Sequence, residues 1–305
     1  MTVAHQIEEL AATFPDPVRG AELQPLRDRL DSAAERAVAL LEGHSAEGAL
    51  PLRLPKGRVL DLLTCERLAV ARHAGGDHTE AAPVALLRGQ AMDRFVQHEL
   101  HGGPVADPLE DLLAMVEAEG DLDLHHELSA AGDALQLGPL ATAARDWAGT
   151  DPAWWPRTQS AAAVHLADGL VRCEGRIDVE LGGPLTGRPS VVVEVKVGRP
   201  HSSHLAEATH YSLLVALRDG VAPALLGRWY PGSSLAHQVV TFDTLDSAAR
   251  RLADMIVTWA QLQAGRPAAE RPGPGCGWCP DADRCGSFRP PPDPFEVDPM
   301  GEGVT

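Results

Sequence analysis

Residues 171–181 alternate apolar and charged side chains, and no other stretch constrains the fold as tightly. Val171, Cys173, Ile177, Val179 and Leu181 fall on one face of an extended strand, while Arg172, Glu174, Arg176 and Asp178 fall on the other. Residues 161–167 have strand character, and Asp168-Gly169 is a two-residue hairpin signal joining them to this strand. Past a loop at 182–189, residues 191–197 alternate again and set Glu194 and Lys196 on one face. A helix over 203–218 and two strands near 224–230 and 236–242 complete an α/β pattern.

The flanks are helical. Leu26, Leu30, Ala33, Ala37 and Leu40 keep helical spacing within residues 1–50. A helix at 84–100 ends at Gly102-Gly103-Pro104, and a last one begins at Asp243 or Thr244 and stops at Gly265. The expected division is a helical segment over 1–50 and a core over 51–265 that carries an acidic helical insertion at 104–150. A cysteine-rich segment over 266–289 and a disordered acidic tail over 290–305 follow.

The net charge of −17 speaks against a nucleic-acid partner until its distribution is read. Residues 107–133 hold nine acids and no Lys or Arg, and residues 291–305 hold four acids and no base. These two stretches carry 13 of the 17 excess charges, leaving a remainder that a cluster of arginines can locally outweigh. No basic, apolar leader opens the sequence and no apolar run approaches the roughly 18 residues of a membrane span, so a cytoplasmic location with no membrane partner is expected. Five unevenly placed cysteines do not form a secreted disulfide framework.

Of 26 basic residues only Lys56 and Lys196 are lysine, so this chain uses arginine wherever a general positive charge suffices. Carboxylates at Asp178 and Glu194 suit a hard divalent cation such as Mg²⁺ or Mn²⁺, and Lys196 suits the handling of an attacking water. Gly175 before the acid allows a close backbone approach. The plain alternative is a salt-bridged pair on an ordinary, exposed strand face. Cys276, Cys279 and Cys285, with Cys65 far upstream, make four thiolate ligands for a cubane iron–sulphur cluster or a tetrahedral zinc. Cys173, on the apolar strand face, is expected in the core.

One early Cys, Gly-x-x-Asp, Glu-x-Lys and a terminal Cys-x2-Cys-x5-Cys together resemble the RecB-like exonucleases of the PD-(D/E)xK superfamily that carry an iron–sulphur staple. The CRISPR-associated adaptation exonucleases and the nuclease domain of AddB are among them. The resemblance spans about residues 50–288 and implies a restriction-endonuclease-like central mixed sheet flanked by helices. It places metal-binding acids on Asp178 and Glu194, the catalytic lysine on Lys196, and a 4Fe-4S cluster on Cys65, Cys276, Cys279 and Cys285. The family's Gln-x-x-x-Tyr helix falls on Glu207 and Tyr211, with Glu in place of Gln; its Gly-x-x-x-His helix falls on Gly89 and Asp93, with Asp in place of a metal-binding His. His98 is five positions from Asp93, about 140° around a helix, and does not replace it. The remaining histidines, such as His125, His126 and His201, are expected at the solvated surface.

The implied activity is metal-dependent cleavage of DNA, exonucleolytic on single strands or duplex ends, in repair, recombination or defence against foreign DNA. Two other readings stay open. One is a catalytically altered scaffold or DNA-binding subunit docking a helicase or integrase; the other is a zinc-stapled RNA-processing enzyme on the same core.

Overall fold

A computed structural model describes residues 1–43, 50–74 and 83–288; the tail expected over 290–305 lies outside the described residues. In chain order the elements are α1 (Val3–Ala11), α2 (Gln24–Gly43), β1 (Leu52–Pro55), α3 (Lys56–Thr64), α4 (Glu66–Ala74) and α5 (Val84–His101). Next come α6 (Pro108–Glu119), α7 (Leu122–Ala131), α8 (Leu137–Ala144), β2 (Arg157–Leu166), β3 (Val171–Gly183) and β4 (Arg188–Val195). The chain continues through α9 (Ser202–Asp219), β5 (Leu225–Trp229), β6 (Ala236–Val239) and α10 (Phe242–Gln263), then short 3₁₀ turns at Pro274–Trp278 and Ala282–Arg284.

The six strands form one mixed sheet in the order β1-β3-β4-β5-β6, with β2 paired to β3. β1 runs parallel to β3 and β5 parallel to β4; the other pairs are antiparallel. Alternation along β4 and β5 feeds two cores, one on each face. Val192 and Leu226 join a cluster with α2, α9 and α10, whereas Val191, Val193, Val195 and Leu225 join a second with α1, α5, α6, α7 and α8. The mixed sheet between two helical layers is the α/β architecture expected from the sequence.

Several local expectations change. β2 and β3 are joined through Ala167, Asp168, Gly169 and Leu170, a 3₁₀ turn plus one residue in place of a two-residue hairpin, with positive φ at the first three. The apolar residues of β3 do not share one face throughout: Val171, Cys173 and Ile177 enter the first core, Val179 and Leu181 the second. The change of face coincides with a break in pairing, because the β2–β3 register skips Gln159 and Asp178 and Gln159 has φ 49°. The acidic stretch forms α6 and α7, whose Leu112, Val116, Leu124 and Leu128 pack into the second core beside α5. Among the described residues no helix is long and apolar enough to cross a membrane.

Candidate active site

β3 carries β2 along one edge, and along its other edge it carries two strands end to end. β1 covers Val171 to Glu174, and β4 begins its pairing at Val179. Because β1 runs parallel to β3 and β4 antiparallel, their C-terminal ends point at each other across the uncovered stretch from Gly175 to Asp178. The next residue after β1 is Lys56, and the last residues of β4 lead into Lys196. Both lysines of the chain therefore arrive at one place.

The carboxylates that meet them come from three elements. Glu194 of β4 is fully buried. Its Oε1 accepts from Lys196 Nζ at 2.5 Å and lies 3.6 Å from Lys56 Nζ; its Oε2 is buried with no partner. Glu207 of α9 is held between the two ammoniums, with Oε1 on Lys56 and Oε2 2.9 Å from Lys196. Asp178 takes the backbone N–H of Val195 at 2.8 Å where strand pairing has ended. Lys56 Nζ also stands 5.3 Å from the centre of the Tyr211 ring, and the buried Tyr211 hydroxyl has no partner. The convergence depends on Gly175: a Cβ there would lie 2.6 Å from Tyr211 Cε1 and 3.4 Å from Lys56 Cβ.

This crowding of charge moves the titrations. Burial, then Asp178 and Glu207, push the Glu194 carboxyl well above its ordinary range. Burial and the Asp178 carboxylate push Asp93 on α5 up to about 7. Burial would raise Glu207 as well, but Lys56 and Lys196 outweigh it and hold the group down at about 2. Both ammoniums lie above the usual lysine value, because Glu194 and Glu207 more than offset the cost of burial. Burial and Glu194 raise the Tyr211 phenol, which stays neutral.

Asp178, Glu194, Lys196, Glu207 and Tyr211 are brought together, and Asp93 reaches them through Asp178 and Lys196. Glu194 and Lys196 do not lie on an exposed strand face: α9 covers them, leaving the Lys196 side chain 21% exposed and Glu194 at 0%. Lys56 was not assigned from the sequence, although the scarcity of lysine applied to it equally. A flank on β5 and α9 was missed too. Arg228 is in register with Glu194 and its buried Nε has no partner; beside it His204 Nδ1 meets the Tyr230 hydroxyl at 2.9 Å. Nor are all the remaining histidines solvated, since His210 is 5% exposed against the back of this site and burial lowers it to about 4.

The second candidate site lies at the other end of α3. Cys65 caps that helix, and Cys65, Cys276, Cys279 and Cys285 line one small cavity. The C-terminal loop is tied down around it: Arg67 pairs with Glu270 at 2.5 Å and Asp281 at 2.7 Å, and Arg271 Nη1 donates to the Leu63 carbonyl at 2.8 Å. Cys173 is elsewhere, fully buried, with its thiol pushed up to about 12 by burial. Among the described residues no three His, Cys, Asp or Glu side chains are already drawn together tightly enough to hold a metal ion.

No family model matches the chain, and no curated protein does. A crystal structure of a candidate exonuclease from Eubacterium rectale is similar in fold, with a TM-score of 0.50 and 13% identity over 81% of this chain and 92% of that one. A second solved structure, SSO0001, aligns at a TM-score of 0.30 with 16% identity over 75% of this chain and 94% of that one, which carries no weight.

Proposed function

We propose that this protein is a metal-dependent deoxyribonuclease acting on single strands or duplex ends. The observation that carries this reading is the meeting of Asp178, Glu194 and both lysines at the facing ends of β1 and β4. The fold shared with a candidate exonuclease agrees with it. The residues suit a hard cation: Glu194 Oε2 is buried and accepts no hydrogen bond, and burial, with a neighbouring carboxylate adding to it, raises three of the four acids. Asp178 and Glu194 would hold Mg²⁺ or Mn²⁺, with Asp93 as a further oxygen ligand. When bound, the ion supplies Lewis-acid polarisation of the phosphate and a more acidic water.

The chain's own groups supply the rest. Lys196, fixed by two carboxylates, keeps its charge and orients the attacking water beside Glu194. Arg228 offers a guanidinium to a phosphate oxygen from the neighbouring strand, the fork geometry favoured for that anion. Degradation of single-stranded and duplex DNA, measured with and without Mn²⁺, tests the proposal. Cleavage that persists in chelator, or an unchanged rate in Lys196→Ala, would sink it.

One observation favours the rival scaffold reading: both lysines already close on the carboxylates that would hold the ion. A chain that binds DNA but never cleaves it with Mn²⁺ is that subunit, and a helicase or integrase partner then becomes the object of search. For the cysteine cavity we propose a 4Fe-4S cluster on Cys65, Cys276, Cys279 and Cys285, with zinc as the alternative. Anaerobically purified protein should absorb at roughly 400 nm and lose iron on Cys276→Ala but not on Cys173→Ala. A colourless protein carrying stoichiometric zinc decides for zinc.

A further inference from the structure

Lys56 is the feature of the site that the expected chemistry does not use. It is the first residue of α3, where an ammonium has the wrong sign for the helix dipole, so it is not there for the helix. The β1–β3 register sets it beside Gly175, the one residue whose missing side chain makes room for Lys56 Cβ and the Tyr211 ring together. Its Nζ engages Glu207 Oε1 and approaches Glu194 Oε1 to 3.6 Å. With Lys196 on Oε2, each oxygen of Glu207 already carries an ammonium, so its charge is offset by lysine before any ion arrives.

We propose that Lys56 is a positioning residue that stands where a second cation would stand, leaving the site matched to one divalent ion. Once an ion displaces their protons, the four carboxylates of Asp93, Asp178, Glu194 and Glu207 exceed the two ammoniums of Lys56 and Lys196 by two charges, which is the charge of one divalent ion. Glu207 and Lys56 then form a unit: the glutamate adds a charge and the lysine removes it. This inference rests on the nuclease reading for the identity of the ion's site, but its test needs no DNA.

The full chain is titrated with Mn²⁺, an ion that prefers oxygen to the thiolates of the cysteine cavity, by calorimetry and by the fall of the free-Mn²⁺ resonance signal. Wild type is expected to take one Mn²⁺ at the carboxylates. Lys56→Gln should bind about tenfold more tightly or accept a second ion, and Glu207→Gln should bind about tenfold more weakly, each a change of one charge at short range. Lys56→Gln/Glu207→Gln restores the net charge and should return to within about threefold of wild type. Should Lys56→Gln fail to fold, Glu207→Gln against the double variant decides alone. Two Mn²⁺ in wild type, or single variants that leave affinity unchanged, overturn the role of Lys56 while the nuclease proposal stands. No Mn²⁺ bound at the carboxylates in any variant overturns both.

Discussion

Glu180 and Glu194 are fully buried glutamates on neighbouring strands, and the molecule treats them differently. Glu180 is closed on every side: Arg218 reaches it at 2.5 Å, Arg157 at 2.8 Å, and the Ser160 hydroxyl donates at 2.7 Å. Glu194 is paired with two lysines and lies against the Glu207 carboxyl, and its Oε2 accepts no hydrogen bond. The guanidinium's planar fork satisfies a carboxylate and locks it, whereas an ammonium is a compact point charge that leaves room for another ligand. A chain with 26 basic residues and two lysines has placed both lysines on Glu194, the acid whose second oxygen accepts no hydrogen bond.

Activity should separate the two acids most strongly. Glu194→Gln or Lys196→Ala is expected to slow Mn²⁺-dependent DNA degradation by about 10²–10⁴-fold. Glu180→Gln, assayed at matched folded protein, should stay within about threefold of wild type, because Arg218 and Arg157 serve structure alone. Equal inactivation by Glu180→Gln would erase the distinction. Stability should move next. Removing both ammoniums in Lys56→Ala/Lys196→Ala strands Glu194 and Glu207 in the interior and should cost about 3–5 kcal/mol in urea unfolding, with each single variant costing less because the other lysine remains. A double variant as stable as wild type at pH 8 would mean that the pair contributes nothing to the fold.

Smaller effects follow. Gly175→Ala pushes a methyl group against Tyr211 and should cost about 1–3 kcal/mol, with a matching loss of activity as Lys56 is displaced. Wild-type stability in that variant would show that Tyr211 can give way. Changing the exposed Glu117, Glu119 and Asp123 to amides should leave stability within about 0.5 kcal/mol while raising non-specific DNA affinity. Loss of cleavage there would place those acids in the active site, contrary to their position on α6 and α7.

The parts of this arrangement carried by local pattern were legible in the sequence. β3, β4, α9 and α10 announce themselves through two-residue or helical periodicity, and Asp178, Glu194 and Lys196 follow from them, whereas Asp93, Glu207 and Tyr211 come only from the family resemblance. The rarity of Lys56 was legible but its place was not, because that depends on β1, a four-residue strand that pairs in parallel with a partner more than 100 residues away. Parallel pairing leaves no turn signal to read. The change of face within β3 was hidden for a related reason: strict alternation describes a straight strand, and this one is broken where Asp178 leaves the ladder for Val195. The burial of Glu194 is likewise a property of α9 lying over it, which the strand alone does not reveal.

The loop around the four cysteines also sets an order of events in time. Residues 63–68 are grasped by residues 266–288: Glu66 takes the Ala269 N–H at 2.8 Å, Arg67 holds Glu270 and Asp281, and Gly275 sits against Thr64. α3, whose first residue is Lys56, thus has its far end fastened by chain that leaves the ribosome roughly 200 residues later, some ten to forty seconds at ordinary synthesis rates. Until then the helix bearing one of the site's two ammoniums has no anchor at Cys65. A nascent chain of this protein can pair β1 with β3, and so set Lys56 beside Gly175, before that anchor exists.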